Sequence, residues 1–429
     1  MKKFFVSCFA FTALFASPAL AQFAHFNEMP SEITRGAAVF NRPEGTLIIP
    51  RSSLSQGPEA GNIAHTNTRM FVPTGLARTN GPGPDATGKP PYSGYIYNTP
   101  ATLNCIYYLG GNGNGCKPDT FVTNATGGSK VIVIVDAYHY PHALTDLTKY
   151  SKQFGLPAPT SSNFQQVNLA GNTTNDGWGS EAALDIQMAH AMAPSAKIIL
   201  VEAKSNNNSD LDAAIVKANS LITNGGEVSM SWVSDEYSSE ASDFTHFTKS
   251  KVVYFASTGD TISPSAPAVL QNVVAVGGTS IIRDGSKNFT GETSWTDAGS
   301  GYSSYILRPS FQPVSVGTYR GIPDISAVAD PNTGVWVYFT GARQFNGGWY
   351  IFGGTSVASP LMAAIVNNSN HFLASSAAEN AFIYNLKTTS ASNYRISVSG
   401  TCGPSGIYST SSDWNPCTGV GSPMSKATQ

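Results

Sequence analysis

The sequence predicts an α/β protein with three layers, α/β/α, around a mostly parallel central sheet. Three observations carry this expectation. Short apolar runs recur along the middle of the chain: Lys130-Val131-Ile132-Val133-Ile134-Val135, Lys197-Ile198-Ile199-Leu200-Val201, Val252-Val253-Tyr254-Phe255 and Val273-Val274-Ala275-Val276. They are continuous rather than alternating, as strands covered on both faces must be. Helical stretches fall between several of them, notably Ser180 to Met192 and Ser209 to Thr223, which gives the β-α-β alternation of a three-layer fold.

The N-terminus reads differently. Met1-Lys2-Lys3 is followed by an apolar stretch from Phe4 to Phe15 and by Ala19-Leu20-Ala21, a small-x-small cleavage site ahead of Gln22. This is the pattern of a secretory signal peptide over residues 1–21, so the protein is expected to be secreted, outside the cell or into a periplasm. The apolar run is shorter than the roughly 20 residues of a spanning helix, and no membrane association is expected once it is removed. Residues 22–92 are rich in Pro, Gly, Asn and Thr, with Gly81-Pro82-Gly83-Pro84 and Gly88-Lys89-Pro90-Pro91 near their end, and are expected to form an extended arm. Residues 93–429 are expected to be one large domain.

Charge and cysteine content narrow the class. Charged residues make up 12% of the chain and the net charge is -2, so no basic face invites nucleic acid. Of five cysteines, Cys8 leaves with the signal peptide. Cys105, Cys116, Cys402 and Cys417 allow three connectivities, and their placement as two local couples favours Cys105 with Cys116 and Cys402 with Cys417 in an oxidising compartment. A zinc site is the alternative, but no C-x-x-C or histidine cluster supports it.

Three stretches carry the chemistry. Gly353-Gly354-Thr355-Ser356-Val357-Ala358-Ser359-Pro360 follows the strand-like Trp349-Tyr350-Ile351-Phe352 and precedes an apolar helix. Two glycines permit a sharp turn, and Ser356 then lies where the helix dipole and free amides stabilise developing negative charge. Ser356 as a plain helix N-cap is the simpler alternative. A nucleophilic serine needs a base, and Gly179-Ser180-Glu181-Ala182-Ala183-Leu184-Asp185 offers two carboxyls at i and i+4 on one helix face, with Leu184, Met188 and Met192 on another. Such a pair shares a proton at intermediate pH and can act as base and orienting partner; two acids complementing a helix dipole is the simpler alternative. Finally, Ser257-Thr258-Gly259-Asp260 ends a buried strand in a small-residue turn. A protonated Asp260 can donate to an oxyanion, whereas a turn-capping aspartate is the simpler role.

Together these stretches resemble the sedolisin family, the serine-carboxyl peptidases. Its pattern is a Glu-x-x-x-Asp helix, a Ser-x-Gly-Asp turn and a Gly-Thr-Ser-x-x-x-Pro motif. The similarity extends through Asn98-Thr99-Pro100-Ala101-Thr102-Leu103, Val276-Gly277-Gly278-Thr279, Ile322-Pro323-Asp324-Ile325 and Thr418-Gly419-Val420-Gly421-Ser422-Pro423. The resemblance implies a subtilisin-like fold and acid-acting endopeptidase or tripeptidyl-peptidase activity through an acyl-enzyme. It also implies roles: Ser356 attacks, Glu181 is the base, Asp185 orients it and Asp260 completes the oxyanion hole. Ser231 and Trp232, in Ser229-Met230-Ser231-Trp232-Val233, are expected to line the substrate cleft, with Val233 where relatives commonly have glycine. Polypeptide substrates and a monomer are expected. The family's C-terminal calcium site expects carboxylates where this chain has Arg395 and Asn415, so no metal cofactor is expected.

Two rivals stand beside this. One is a Ser/His/Asp enzyme using Asp136, for which His139, His142 and His190 are poorly set. The other is a secreted binding protein on an inactive peptidase scaffold, against which the retained serine and three acids argue.

Overall fold

The structure, a computed structural model, describes residues 36–55, 62–74, 88–92, 94–108, 116–118, 126–243, 245–342, 347–395, 400–411 and 413–424. The expected signal peptide and its cleavage point at Ala21 lie outside the described residues. In chain order the elements that position the site begin with four N-terminal strands, β1 (Ala38–Arg42), β2 (Gly45–Ile49), β3 (His65–Thr66) and β4 (Arg69–Pro73). Next come α1 (Pro100–Tyr108), β5 (Val131–Ala137), α2 (Ala143–Phe154), β6 (Phe164–Asn168), α3 (Asp176–Met192), β7 (Lys197–Ala203), α4 (Asn208–Leu221), β8 (Gly226–Met230) and β9 (Trp232–Asp235). After them run β10 (Val252–Ser257), β11 (Ser265–Ala266), β12 (Val274–Arg283), β13 (Phe289–Ser294), β14 (Gly301–Leu307), β15 (Tyr319–Ile322), β16 (Ile325–Val328), β17 (Val335–Phe339), β18 (Gly348–Gly353), α5 (Thr355–Ser369) and α6 (Ser376–Thr389).

The β-branched runs became the central sheet, in the order β13-β12-β10-β8-β5-β7-β6 with β16 beside β12. Every pairing in it is parallel except β12 with β13. β5 explains why the run is continuous. Ile132 and Ile134 face one core, shared with residues of α3 and α5, while Val133 and Val135 face the other, shared with α4. Each such side chain contributes roughly 1.5–3 kcal/mol on burial. The expected three-layer α/β/α arrangement is present.

α3 is buried on all sides, not only along the stripe of Leu184, Met188 and Met192. Its start is fixed by Asn175, whose side chain accepts from the amide of Trp178. Small residues, Ala182, Ala183 and Ala189 against Ala358, Ala363 and Ala364 of α5, let the two helices pack closely. The face carrying Glu181 and Asp185 is therefore enclosed rather than solvated.

The N-terminal segment departs from the expected extended arm. Within the described part of residues 22–92, β1, β2 and β4 join β18 and β17 in a five-stranded antiparallel sheet, and β3 pairs with β9. Pro, Gly, Asn and Thr do mark the loops, but the apolar Leu47, Ile48, Met70 and Phe71 are buried in the main core. Composition averaged over the segment hid short strands, two of which, β3 and β4, pair with the distant β9 and β18.

Both expected disulfides are present, Cys105–Cys116 and Cys402–Cys417. Arg395 pairs with Glu292 at 2.5 Å, lies over the Phe289 ring and donates to the carbonyl of Ile106. Ser422 also donates to Glu292. The Asn415 side chain accepts from the amides of Cys417 and Thr418, both at 3.0 Å. These donors do not fit a calcium ion: the one carboxylate is already neutralised by a guanidinium, and the amide oxygen is turned to backbone N–H groups.

Candidate active site

β18 delivers the serine. After Gly353 the chain turns through Gly354 at φ +103, and α5 begins at Thr355. Glycine is needed at 354 twice over. The φ is one that L side chains rarely adopt, and a Cβ there would fall 1.7 Å from the Asn67 carbonyl oxygen. Gly354 is the N-cap, so Ser356 sits in the first turn and not at the cap. Its hydroxyl donates to the Ser231 carbonyl at 3.1 Å. Pro360 has no N–H to give the Ser356 carbonyl its helical partner, and the Ser231 hydroxyl donates there instead, at 3.3 Å. Ser231 and Ser356 thus hold each other through both hydroxyls.

Glu181 and Asp185 are fully buried, one turn apart on α3. The Thr68 hydroxyl, from the N-terminal segment, donates to Glu181. Burial pushes the Glu181 carboxyl well above its ordinary range and the charge of Asp136 adds to this, while the Thr68 hydroxyl pulls it down. Asp185 is raised for the same first reason, then by Asp136 and Glu181. Asp136, at the end of β5, completes a cluster of three acids. It too is raised, by burial and then by Glu202, and neither of its oxygens accepts a hydrogen bond among the described residues. Desolvated carboxyls without donors avoid charge, so the closed cluster holds protons well above the usual carboxylate range.

Asp260 follows β10 through Gly259, at φ +97. One carboxyl oxygen, Oδ1, accepts from the Thr355 amide at 2.8 Å and the Thr355 hydroxyl at 3.0 Å. The other, Oδ2, lies 3.3 Å from Nε of Arg69. Burial pushes Asp260 up to about 6 against the opposing charge of Arg69 and the two Thr355 hydrogen bonds. Gly354 also brings Oδ2 and the Asn67 carbonyl together: its missing Cβ would lie 2.7 Å from the first and 1.7 Å from the second.

The three sequence-predicted acids and the serine therefore converge, and Ser231 joins them. Trp232 contributes backbone rather than side chain. It pairs with Thr66, while its indole is buried in the core and donates to the Val135 carbonyl at 3.0 Å. Val233 pairs with His65 across the same ladder. The histidines that a rival triad needs are engaged elsewhere: His139 with Glu202 at 2.9 Å and His190 with the Pro157 carbonyl at 2.8 Å. Among the described residues no histidine hydrogen-bonds to Ser356. Sequence reasoning missed Asn67, Thr68 and Arg69. The strand-like Arg69-Met70-Phe71-Val72-Pro73 was the available signal.

Comparison with known proteins gives the family and the fold. A profile of the subtilase family matches residues 168–399, more than half of the chain. The chain is 28% identical over 315 residues to kumamolisin of Bacillus sp. (strain MN-32), a match covering 65% of this chain and 56% of that protein. It is 38% identical over 119 residues to sedolisin of Pseudomonas sp. (strain 101), covering 25% of this chain and 19% of that one. The match thus spans little more than half the length of kumamolisin and about a fifth of sedolisin. In three dimensions it shares the fold of Pseudomonas sedolisin, a serine-carboxyl proteinase solved with two molecules of pseudo-iodotyrostatin, at a TM-score of 0.61 and 24% identity over 77% of this chain and 97% of that one. The chain belongs to the subtilase family. Within it, kumamolisin and sedolisin as relatives mark the sedolisin family as its branch.

Proposed function

We propose that the chain is a secreted serine-carboxyl peptidase that hydrolyses polypeptides in acid. The observation that carries this is the way the site meets consecutive residues of the chain's own N-terminal segment: the Asn67 carbonyl lies against Gly354 beside Asp260, the Asn67 side-chain amide and the Ser356 hydroxyl share the Ser231 carbonyl, and the Thr68 hydroxyl meets Glu181. In the proposed reaction the Ser356 oxygen bonds to the substrate carbonyl carbon and its proton passes to Glu181, which Asp185 orients. The carbonyl oxygen gains the electron pair and receives a hydrogen bond from protonated Asp260, beside the positive end of the α5 dipole. The C–N bond then breaks as Glu181 returns its proton to the departing amine. Water attacks the acyl-enzyme with Glu181 again taking a proton, which Ser356 regains as the acid product leaves.

Acid conditions follow from the opposite needs of the two carboxyls. Asp260 must be neutral to donate, and Glu181 must be able to accept. With the cleft covered, burial keeps the three-acid cluster neutral, so Glu181 is a poor base until water or substrate replaces the covering segment. The bound protons also make the covered state tolerant of acid.

Activity on acid-denatured protein at about pH 4, abolished in Ser356→Ala, tests the proposal. Tight binding of polypeptide with no cleavage by either protein would instead support a binding protein on an inactive scaffold. Secretion through residues 1–21 is tested by recovering the chain outside the cytoplasm with Gln22 as its first residue. Arg395 and Asn415 support a fold that needs no calcium, with the Arg395–Glu292 pair standing where an ion would otherwise neutralise charge.

A further inference from the structure

The N-terminal segment crosses the site as an extended substrate would. His65 and Thr66 pair antiparallel with Val233 and Trp232 on one side of Ser356. Asn67 follows, its side-chain amide donating to the Ser231 carbonyl at 3.3 Å and the Ser257 hydroxyl at 2.9 Å, and its carbonyl lying against Gly354 and Asp260. Beyond Thr68, which meets Glu181, Arg69 pairs antiparallel with Gly353, and the ladder continues along β18. The two ladders flank the Asn67–Thr68 bond, so Arg69 is the second residue on the leaving-group side.

The Arg69 side chain fills a defined pocket. Its guanidinium lies 4.8 Å from the centre of the buried Trp295 ring, donates to the Asp260 carbonyl at 2.8 Å and pairs with the Asp297 carboxylate. Arg69 keeps 11% of its side-chain surface and Asp297 keeps 45%, so the pocket opens outward at its acidic lip. A flat aromatic floor, a carbonyl wall and a carboxylate lip suit a planar, multiply donating cation better than an ammonium, and exclude an acid.

We propose that Trp295, Asp297 and the Asp260 carbonyl form a substrate subsite selecting arginine, and less strongly lysine, two residues after the cleaved bond. In the covered state Arg69 occupies this subsite in cis. The proposal deepens the peptidase assignment and rests on it.

The test uses internally quenched peptides of the sequence His-Thr-Asn-Thr-X-Met with X as Arg, Lys, Ala or Glu, cleaved by the full chain at pH 5. The Arg peptide is expected to exceed the Ala peptide about tenfold in kcat/KM, with Lys between them and Glu below. Asp297→Asn, at a half-exposed position that should not disturb folding, is expected to reduce the Arg advantage to about threefold, read as the ratio of the Arg and Ala peptides within each protein. Equal rates for Arg, Ala and Glu, or an unchanged preference in Asp297→Asn, overturn the subsite while leaving the peptidase assignment intact. If no peptide is cleaved, binding decides the subsite. Titration of the same peptides into Ser356→Ala/Arg69→Gln, checked for folding by circular dichroism, should favour Arg over Ala about tenfold. Equal affinities, including none, overturn the proposal.

Discussion

Replacing Asp260 by asparagine separates the two protonation requirements of the proposed mechanism. In the structure Oδ1 already accepts two hydrogen bonds from Thr355, so an asparagine keeps its carbonyl oxygen there and turns its NH2 toward the position of Oδ2, beside the Asn67 carbonyl. That NH2 donates at every pH. The wild-type carboxyl, with its pKa pushed up to about 6 by burial, donates only while protonated. Two pH units above this value roughly 1% remains neutral, so kcat/KM should fall about tenfold per unit and about a hundredfold by pH 8. Asp260→Asn should lack this limb. Its acid plateau should be lower by several-fold, because an amide N–H is a weaker donor to an oxyanion than a carboxylic O–H. The assay is kcat/KM on a quenched peptide from pH 3 to 8, with circular dichroism confirming the fold at each pH. A wild-type profile that is flat or rising from pH 5 to 8, or a mutant with the same limb as wild type, would refute the assignment of Asp260 as oxyanion donor.

The base should be as sensitive as the donor. Glu181→Gln is expected to cut turnover about a hundredfold or more with melting temperature preserved, and near-normal turnover would remove Glu181 from the mechanism. Chelator treatment should leave the melting temperature unchanged, because the Arg395–Glu292 pair and Asn415 offer no cation site; a drop reversed by added calcium would contradict this. Stability itself should be greatest in acid. Glu379 is fully buried with neither side-chain oxygen hydrogen-bonded among the described residues, and burial pushes its pKa up to about 8. A pKa raised above the unfolded value contributes stability that is complete below about 4.5 and is lost as pH rises through about 8, with an upper limit of about 5 kcal/mol. Melting curves of Glu379→Gln should therefore show a shallower loss between pH 5 and 9 than wild type, and identical slopes would count against it.

Most of the candidate site's local geometry was legible in the linear chain because it is encoded locally. Gly353-Gly354-Thr355-Ser356 is its own turn, a Glu-x-x-x-Asp spacing puts two carboxyls on one helix face whatever surrounds the helix, and continuous β-branched runs imply a sheet covered on both sides. The two disulfides were legible for the same reason, each closing a short loop. What these residues experience was not encoded locally. That α3 is enclosed on every side, that Asp136 stands against Glu181 and Asp185, and that Arg69 sets the charge around Asp260 depend on elements brought together from distant parts of the chain. Residues 65–73 are the extreme case. By composition they belong to a loop-rich arm, because a two-residue strand and a five-residue strand leave almost no periodic trace. Their conformation is imposed by partners, β9 and β18, that exist only once the sheets have formed. Local spacing determined which residues could react; only the tertiary fold decided their protonation, what covers them and which side chain the cleft accepts, because desolvation, charge and strand pairing are properties of neighbours in space and not in sequence.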